Sequence, residues 1–295
     1  MLNFLSLFSG IGAPEKALTN LGIPYRLVNY CEIDKYASKS YAAVHGVSED
    51  LNLWDVTKIT KDDIKERVDL VTHGSPCQSF SISGKQEGGD EGSGTRSSLM
   101  YETLRIVGFT NPKFILWENV KNVLSPRHIH NFENYRNRLD ALGYNSYWKV
   151  LNAKDFGIPQ NRERIFCISI RKDIDKGFEF PTPFPLTLKL KDMLDDKVDE
   201  KYYLSNNKLS GMISELNPTE SSGGCDKSVN NPRLIDYCNC LTTREDARGV
   251  SNRKAEGAAV YEQNEIIKVG QKIISMEDNG TGGVQSERSN QERIC

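Results

Sequence analysis

The chain has 295 residues, 38% hydrophobic and 26% charged, enough for one large domain with a buried core and a smaller one. Its formal net charge of -2 carries no overall basic signature, so any contact with nucleic acid has to come from a local basic cleft. The seven cysteines are an odd count without paired metal-type spacing, which argues against a disulfide framework and for a reduced cytoplasmic setting.

The first apolar stretch, Met1 to Phe8, has neither a basic leader nor a small-residue cleavage site and reads as a buried strand. No run approaches membrane-spanning length, so no membrane association is expected. Short apolar runs then alternate with helix-period stretches. Strands are predicted over Asn3 to Phe8, Tyr25 to Cys31, Val68 to Gly74, Phe114 to Glu118, Tyr144 to Leu151 and Arg164 to Ile170. Helices are predicted over Ala13 to Leu21, Lys35 to His45, Ser97 to Phe109 and His130 to Leu142. This repetition implies parallel crossover units in an α/β sheet, which binds ligands at the carboxyl ends of its strands. Pro181, Pro183 and Pro185 read as a linker. Residues 1–185 are therefore expected to form the main domain and 186–295 a small, irregular one, with few apolar clusters, the clearest at Ala258 to Tyr261 and Glu265 to Ile274.

Four clusters carry candidate chemistry. Phe8-Ser9-Gly10-Ile11-Gly12 joins the first strand to the first helix, where glycines let a ligand approach the backbone and the helix amino terminus offers N–H groups. Glu32, ending the second strand, can accept from both hydroxyls of a ribose. Asp55 in Trp54-Asp55-Val56 can accept from an adenine amino group or, more simply, cap a helix.

The second cluster, Ser75-Pro76-Cys77-Gln78, follows the third strand and precedes Gly84, Gly88, Gly89, Gly92 and Gly94, a setting that suits a cysteine nucleophile beside a mobile loop; an isolated cysteine would otherwise read as buried and inert, against which the preceding proline and the polar, glycine-rich stretch argue. The third, Glu118-Asn119-Val120, ends a very apolar strand. A carboxylate there is expensive to bury and is expected to face a polar cleft, with a raised pKa suited to giving up a proton; alone it would read as a cap or surface acid. In the fourth, Gln160-Asn161-Arg162-Glu163-Arg164, strand alternation would put both arginines on one face, suited to phosphate or carbonyl recognition, or else on a solvated edge strand beside Glu163.

The ordered set, Phe-x-Gly-x-Gly, Glu-x-Asp, Asp-Val, Pro-Cys-Gln, Glu-Asn-Val and Gln-x-Arg-x-Arg, resembles the bacterial and phage DNA cytosine-5 methyltransferases from Leu5 to about Pro185. The loop after Cys77 is similar to the DNA-acting rather than the RNA-acting branch. The resemblance implies a Rossmann-like sheet with helices on both faces that binds S-adenosylmethionine, followed from 186 by a partial target-recognition region. It implies that Phe8, Gly10, Gly12 and Pro76 line the cofactor pocket, with Glu32 on the ribose and Ile33, Asp55 and Val56 near the adenine. Cys77 would attack C6 of a cytosine flipped out of double-stranded DNA, Glu118 would serve N3, Arg164 would hold O2 and Arg162 would contact a phosphate. Gln78, Ser81, Lys85, Arg96, Asn119, Val120 and Gln160 are the further candidates for contact with base or DNA.

The family's closing Gly-Asn-Ser/Ala motif is not found in this chain. The chain is then either an active enzyme, alone or with a second polypeptide supplying that motif, or a truncated fragment that binds cofactor or DNA without turnover. A nicotinamide-dependent oxidoreductase would explain Gly10, Gly12 and Glu32 but none of the other clusters.

Overall fold

The computed structural model describes residues 1–80 and 87–193 and, beyond them, the backbone of three short strands. The chain falls into two compact units, Met1–Leu151 with Glu163–Thr182, and Asn152–Arg162 with Pro183–Cys295. Residues 152–162, which the sequence reading keeps within the main domain, thus group with the second unit.

The first unit is built on a six-stranded sheet. In chain order its strands are β1 (Leu2–Leu7), β2 (Tyr25–Cys31), β3 (Leu70–His73), β4 (Phe114–Val120), β5 (Tyr144–Asn152) and, after the two-residue β6 (Gln160–Asn161) of the second unit, β7 (Glu163–Arg171). They lie in the order β2-β1-β3-β4-β7-β5. The expected parallel crossovers hold through the first four strands, but β7 runs antiparallel to β4. The reason is chain length. A parallel return needs a crossover of about a dozen residues or more, usually helical, and the short stretch between β5 and β7 contains only a 3-10 turn at Ala153–Phe156 and β6.

The register explains where the core sits. Leu7, His73, Trp117 and Cys167 are successive partners across β1, β3, β4 and β7, so they share one face of the sheet with Leu5, Val71 and Ile115. That face is covered by α3 (Met100–Thr110) and α4 (Ile129–Ala141), whose Met100, Leu104, Val107, Phe132, Tyr135 and Leu139 form the main core with Ile115, Trp117 and Ile165. The opposite face carries α1 (Ala13–Asn20) and α2 (Lys35–His45): Tyr30 of β2 stacks on Tyr41 of α2 at 4.1 Å, and the Tyr41 hydroxyl donates to Glu15 Oε1 of α1 at 2.7 Å. The fold is therefore Rossmann-like, with helices on both faces.

His73 is enclosed by this core, its Nε2 2.8 Å from the Tyr135 hydroxyl and its Nδ1 3.3 Å from Thr103 Oγ1. Burial pushes its pKa down from 6.5 to about 3. Between those values the unfolded chain binds a proton that the folded chain refuses. The stability due to neutral His73 is therefore whole above about pH 6.5 and drains away as the pH falls toward 3. We expect urea unfolding between pH 6.5 and 4 to show a pH slope shallower by about one proton in His73→Gln than in the parent chain. Identical slopes would show that His73 titrates normally.

In the second unit, Ala153 N–H donates to the Arg162 carbonyl and Arg162 N–H to Asn152 Oδ1, each at 3.0 Å, closing the 152–162 segment on itself. Phe184 packs edge-on to Phe156 at 6.0 Å, and its N–H donates to the Asp155 carbonyl. β6 pairs in parallel with β8 (Cys238–Asn239), and β9 (Ala258–Glu262) forms an antiparallel hairpin with β10 (Glu265–Gly270), where the two apolar clusters fall. Residues 271–274 of the second cluster lie outside the described residues.

Among the described residues no helix is long and apolar enough to cross a membrane.

Candidate active site

β1 to β4 are parallel, so their carboxyl ends fall on one edge of the sheet and deliver four loops side by side. Because β7 is antiparallel, its first residues reach the same edge, with Arg164 paired to Val120 at the end of β4.

The loop after β1 is the glycine turn. Phe8, Gly10 and Gly12 all adopt left-handed backbone, with φ of 53°, 54° and 83°. Ser9 fastens the turn to β2, its N–H and its hydroxyl both donating to the Cys31 carbonyl at 3.1 Å. The two glycines serve different ends. Nothing lies within 4 Å of where a Gly10 side chain would begin, which leaves the backbone open to a ligand, whereas a Cβ on Gly12 would sit 2.1 Å from His45 Nε2 and 2.9 Å from Tyr41 Cε2. His45 Nε2 is itself bonded to the Ile11 carbonyl at 3.0 Å, so α2 braces the turn from beneath. We expect Gly12→Ala to dislodge His45 and distort the turn, weakening binding of S-adenosylhomocysteine in calorimetry by at least about tenfold while the chain stays folded. Unchanged affinity would separate the turn from the ligand site.

At the end of β2 the Glu32 carboxylate accepts from Gly10 N–H through Oε2 and from Asp34 N–H through Oε1, both at 2.8 Å. The acidic residue is thus tied directly to the glycine turn. Asp34 in turn caps α2, accepting from Tyr36 and Ala37 N–H. Asn52 secures the same corner. Its Oδ1 accepts from Glu32 N–H (3.0 Å) and Trp54 N–H (2.8 Å), and its Nδ2 donates to the Glu32 carbonyl (2.9 Å) and Ser38 Oγ (3.0 Å). Ile33 is exposed there. Asp55 is the cap of a 3-10 turn, accepting from Thr57 N–H and Oγ1, bonds that hold its carboxyl below the usual range. Val56 is buried in the core.

The loop after β3 carries Cys77 and is fixed at both ends. On the upstream side, Ser75 takes the Trp117 indole N–H on its hydroxyl (3.0 Å) and Asn119 Nδ2 on its carbonyl (3.1 Å). On the downstream side, Phe80 N–H closes a turn onto the Cys77 carbonyl (2.9 Å), Asn122 Nδ2 donates to the Phe80 carbonyl (2.6 Å) and Ser79 N–H donates to Ser97 Oγ (3.1 Å). Pro76 and Cys77 are half-buried and Gln78 is exposed. Cys31 and Cys167 are buried, and burial pushes their thiols up to about 12 and about 11, which disfavours the reactive thiolate.

Glu118 closes the site from β4. Its Oε1 lies 3.1 Å from Arg164 Nε, with 32% and 14% of the two side chains exposed, and its Oε2 lies 3.7 Å from where a Gly74 side chain would begin, at the root of the cysteine loop. Arg164 is also oriented by a bond from Nη1 to the Glu163 carbonyl at 2.9 Å. Asn119 is buried and serves as the brace on Ser75, and Val120 packs against the core. The two arginines do not share a strand face as expected: Arg162 falls in the break between β6 and β7, so strand alternation does not run through both, and it belongs with Gln160 to the second unit. Glu163 pairs with Lys121 at 2.9 Å. Arg96 is exposed at the start of a 3-10 turn (Arg96–Leu99). Ser81 and Lys85 lie outside the described residues; the described part of their loop is tied to α4 by Asp90–His130 (2.7 Å) and Glu91–Arg138 (2.8 Å).

Asn52 and His45 were not singled out by the sequence as site residues, and Ser75 entered only as part of the cysteine cluster, with no role of its own. Asn52 reaches back twenty residues to Glu32, and Ser75 and His45 work through partners more than thirty residues away, at separations that local sequence does not reveal.

A glycine turn, an acceptor carboxylate and a cysteine loop stand at adjacent strand ends of one open α/β sheet, on the carboxyl edge where sheets of this class take their ligands. The chain belongs to the C-5 cytosine-specific DNA methylase family, whose sequence model matches residues 2–292. It is 38% identical over 244 residues to the orphan methyltransferase M.SPRI of Bacillus phage SPR, covering 73% of this chain and 55% of that one. It is 34% identical over 262 residues to the type II methyltransferase M2.ScrFI of Lactococcus lactis subsp. cremoris, covering 71% and 72%. The chain thus spans about half the length of M.SPRI. A crystal structure of the S. pombe Dnmt2 methyltransferase has a like fold, with a TM-score of 0.63 at 20% identity over 90% of this chain and 78% of that one.

Proposed function

We propose that the protein methylates C5 of cytosine in double-stranded DNA, taking the methyl group from S-adenosylmethionine, in the cytoplasm of a phage-infected or restriction-modifying bacterium. The observation that carries this reading is the meeting of Glu118 and Arg164 beside Gly74, at the root of the loop that presents Cys77. Residues 1–185 act as the catalytic domain and 186–295 as a target-recognition region.

The residues present suit the cofactor. Gly10 leaves its backbone open, and Glu32, with two lone pairs on each oxygen and one N–H bond to each, has acceptor capacity left for a ribose. S-adenosylmethionine supplies an electrophilic methyl group when bound. Phe8, Gly10, Gly12, Glu32 and Ile33 hold it, with Asp55, Val56 and Pro76 around them.

The target carbon is inaccessible within a stacked duplex, so the cytosine is flipped into the site. The Cys77 thiolate forms a bond to C6, and the electron pair of the C5–C6 double bond moves into the ring. Glu118 meets the negative charge at N3 with a proton or hydrogen bond, and Arg164 holds O2. C5 is then nucleophilic toward the methyl group that a bound cofactor would supply, the methyl–sulfur bond breaking and the sulfonium sulfur leaving as a neutral thioether. Removal of the C5 proton by a base or ordered water then expels Cys77 as thiolate and restores the double bond. Arg162, Gln160, Gln78, Ser81, Lys85 and Arg96 contact the DNA.

The test is transfer of labelled methyl groups to duplex DNA followed by nucleoside analysis. The expected product is 5-methylcytosine. Label in RNA alone, or in N-methylated bases, would overturn the reading, and binding of cofactor and DNA without transfer would identify the chain as an inactive fragment.

A further inference from the structure

Trp54 has left-handed backbone, with φ of 59°, a conformation that Asn and Gly adopt readily and a bulky side chain does not. Such a residue persists only where its surroundings over-determine it, and residues of this kind gather at ligand sites. Three hydrogen bonds hold Trp54 and the residue before it. Trp54 N–H donates to Asn52 Oδ1 at 2.8 Å, its carbonyl accepts from Cys31 Sγ at 3.1 Å, and the preceding Leu53 N–H donates to the Tyr30 carbonyl at 2.7 Å. Two of these bonds tie Trp54 and its neighbour to the end of β2, and the third ties Trp54 to Asn52 beside it. One of them ends on the same Asn52 oxygen that accepts from Glu32 N–H, so a single atom fixes Trp54 relative to Glu32.

What the strain presents is an indole left 43% exposed, whereas Trp117 is fully buried in the core. Ile33, 73% exposed, follows Glu32 directly, and Trp54 is tied through Asn52 Oδ1 to the Glu32 backbone, so an exposed aromatic side chain and a second exposed apolar one belong to the corner that holds the acceptor carboxylate. A carboxylate that takes ribose hydroxyls, bordered by an exposed aromatic ring, is chemistry that recognises a purine nucleoside. We propose that Trp54 is a further cofactor-binding residue, its indole packing on the purine of the nucleoside whose ribose Glu32 receives. The proposal rests on the reading of the β1–β2 corner as the cofactor pocket.

The experiment titrates S-adenosylhomocysteine into the full-length chain and into Trp54→Phe and Trp54→Gly, by calorimetry and by tryptophan fluorescence. The parent chain binds and its fluorescence changes. In Trp54→Phe binding persists but the fluorescence change is lost, since the other two tryptophans stand outside the β1–β2 corner, Trp117 buried on β4 and Trp148 on β5. Trp54→Gly relieves the left-handed strain and keeps the melting temperature of the unliganded chain, yet raises the dissociation constant by about tenfold, the size of one base–aromatic stack. Parent-like affinity in Trp54→Gly, or a fluorescence change that survives in Trp54→Phe, would overturn the proposal. Absence of binding to the parent chain would overturn the cofactor pocket itself, and the calorimetry of the parent keeps these two failures apart.

Discussion

Cys77→Ser is expected to lower methyl transfer to DNA by at least about a thousandfold, because the reaction as derived cannot begin without a bond from this residue to C6. A serine hydroxyl is almost wholly protonated near neutral pH and is a far weaker nucleophile than a thiolate. The loss should be chemical rather than structural. The loop is held through Ser75, Ser79 and Phe80 by Trp117, Asn119, Ser97 and Asn122, and the Cys77 backbone contributes a carbonyl that serine retains. The serine variant should therefore melt with the parent and bind S-adenosylhomocysteine with the same affinity. DNA containing 5-fluorocytosine supplies a second readout, since fluorine at C5 cannot leave as a proton does. With cofactor present the parent chain should form a complex that survives denaturing electrophoresis, and the serine variant should not. Retention of a tenth or more of the activity by Cys77→Ser would remove the covalent step.

The sheet was legible because its strands are short apolar runs with helix-period segments between them, and all four helices and six main strands fall where that pattern puts them. The direction of β7 was not legible, because strand periodicity does not encode polarity; only the short link from β5 forbids a parallel return. The same limit keeps the best-formed part of the site out of reach of spacing alone; only the family resemblance puts both of its residues at one base. Glu118 and Arg164 are 46 positions apart in sequence and meet only because β7 turns back beside β4. Arg162 looked equivalent to Arg164 at a spacing of two, but that equivalence requires an unbroken strand, and the strand breaks there. Among the three described cysteines, nothing in the local sequence measures burial, and burial is what sets Cys31 and Cys167 apart from Cys77.

Glu118→Gln is expected to lower kcat by about a hundredfold to a thousandfold with little change in affinity for S-adenosylhomocysteine, since a positioned proton donor contributes about that much and the cofactor corner lies on other strands. The sequence suggested a carboxyl group poised to donate because it is hard to bury. The structure adds a guanidinium 3.1 Å away, and a cation there favours the carboxylate anion. The two statements are reconciled if Arg164 is shared. When the base enters, its O2 competes for the guanidinium, and as Arg164 turns toward it the carboxylate gains basicity just as N3 acquires negative charge. Glutamine keeps the shape and a hydrogen-bond donor but cannot follow that change. Arg164→Lys keeps the charge but loses the planar fork that meets two acceptors at once, and should cost about tenfold or more. Because the residues act as one unit, the double variant Glu118→Gln/Arg164→Lys should be impaired far less than the product of the single effects. Strictly multiplicative losses would mean that Glu118 and Arg164 serve the base independently and that their ion pair has no part in the chemistry.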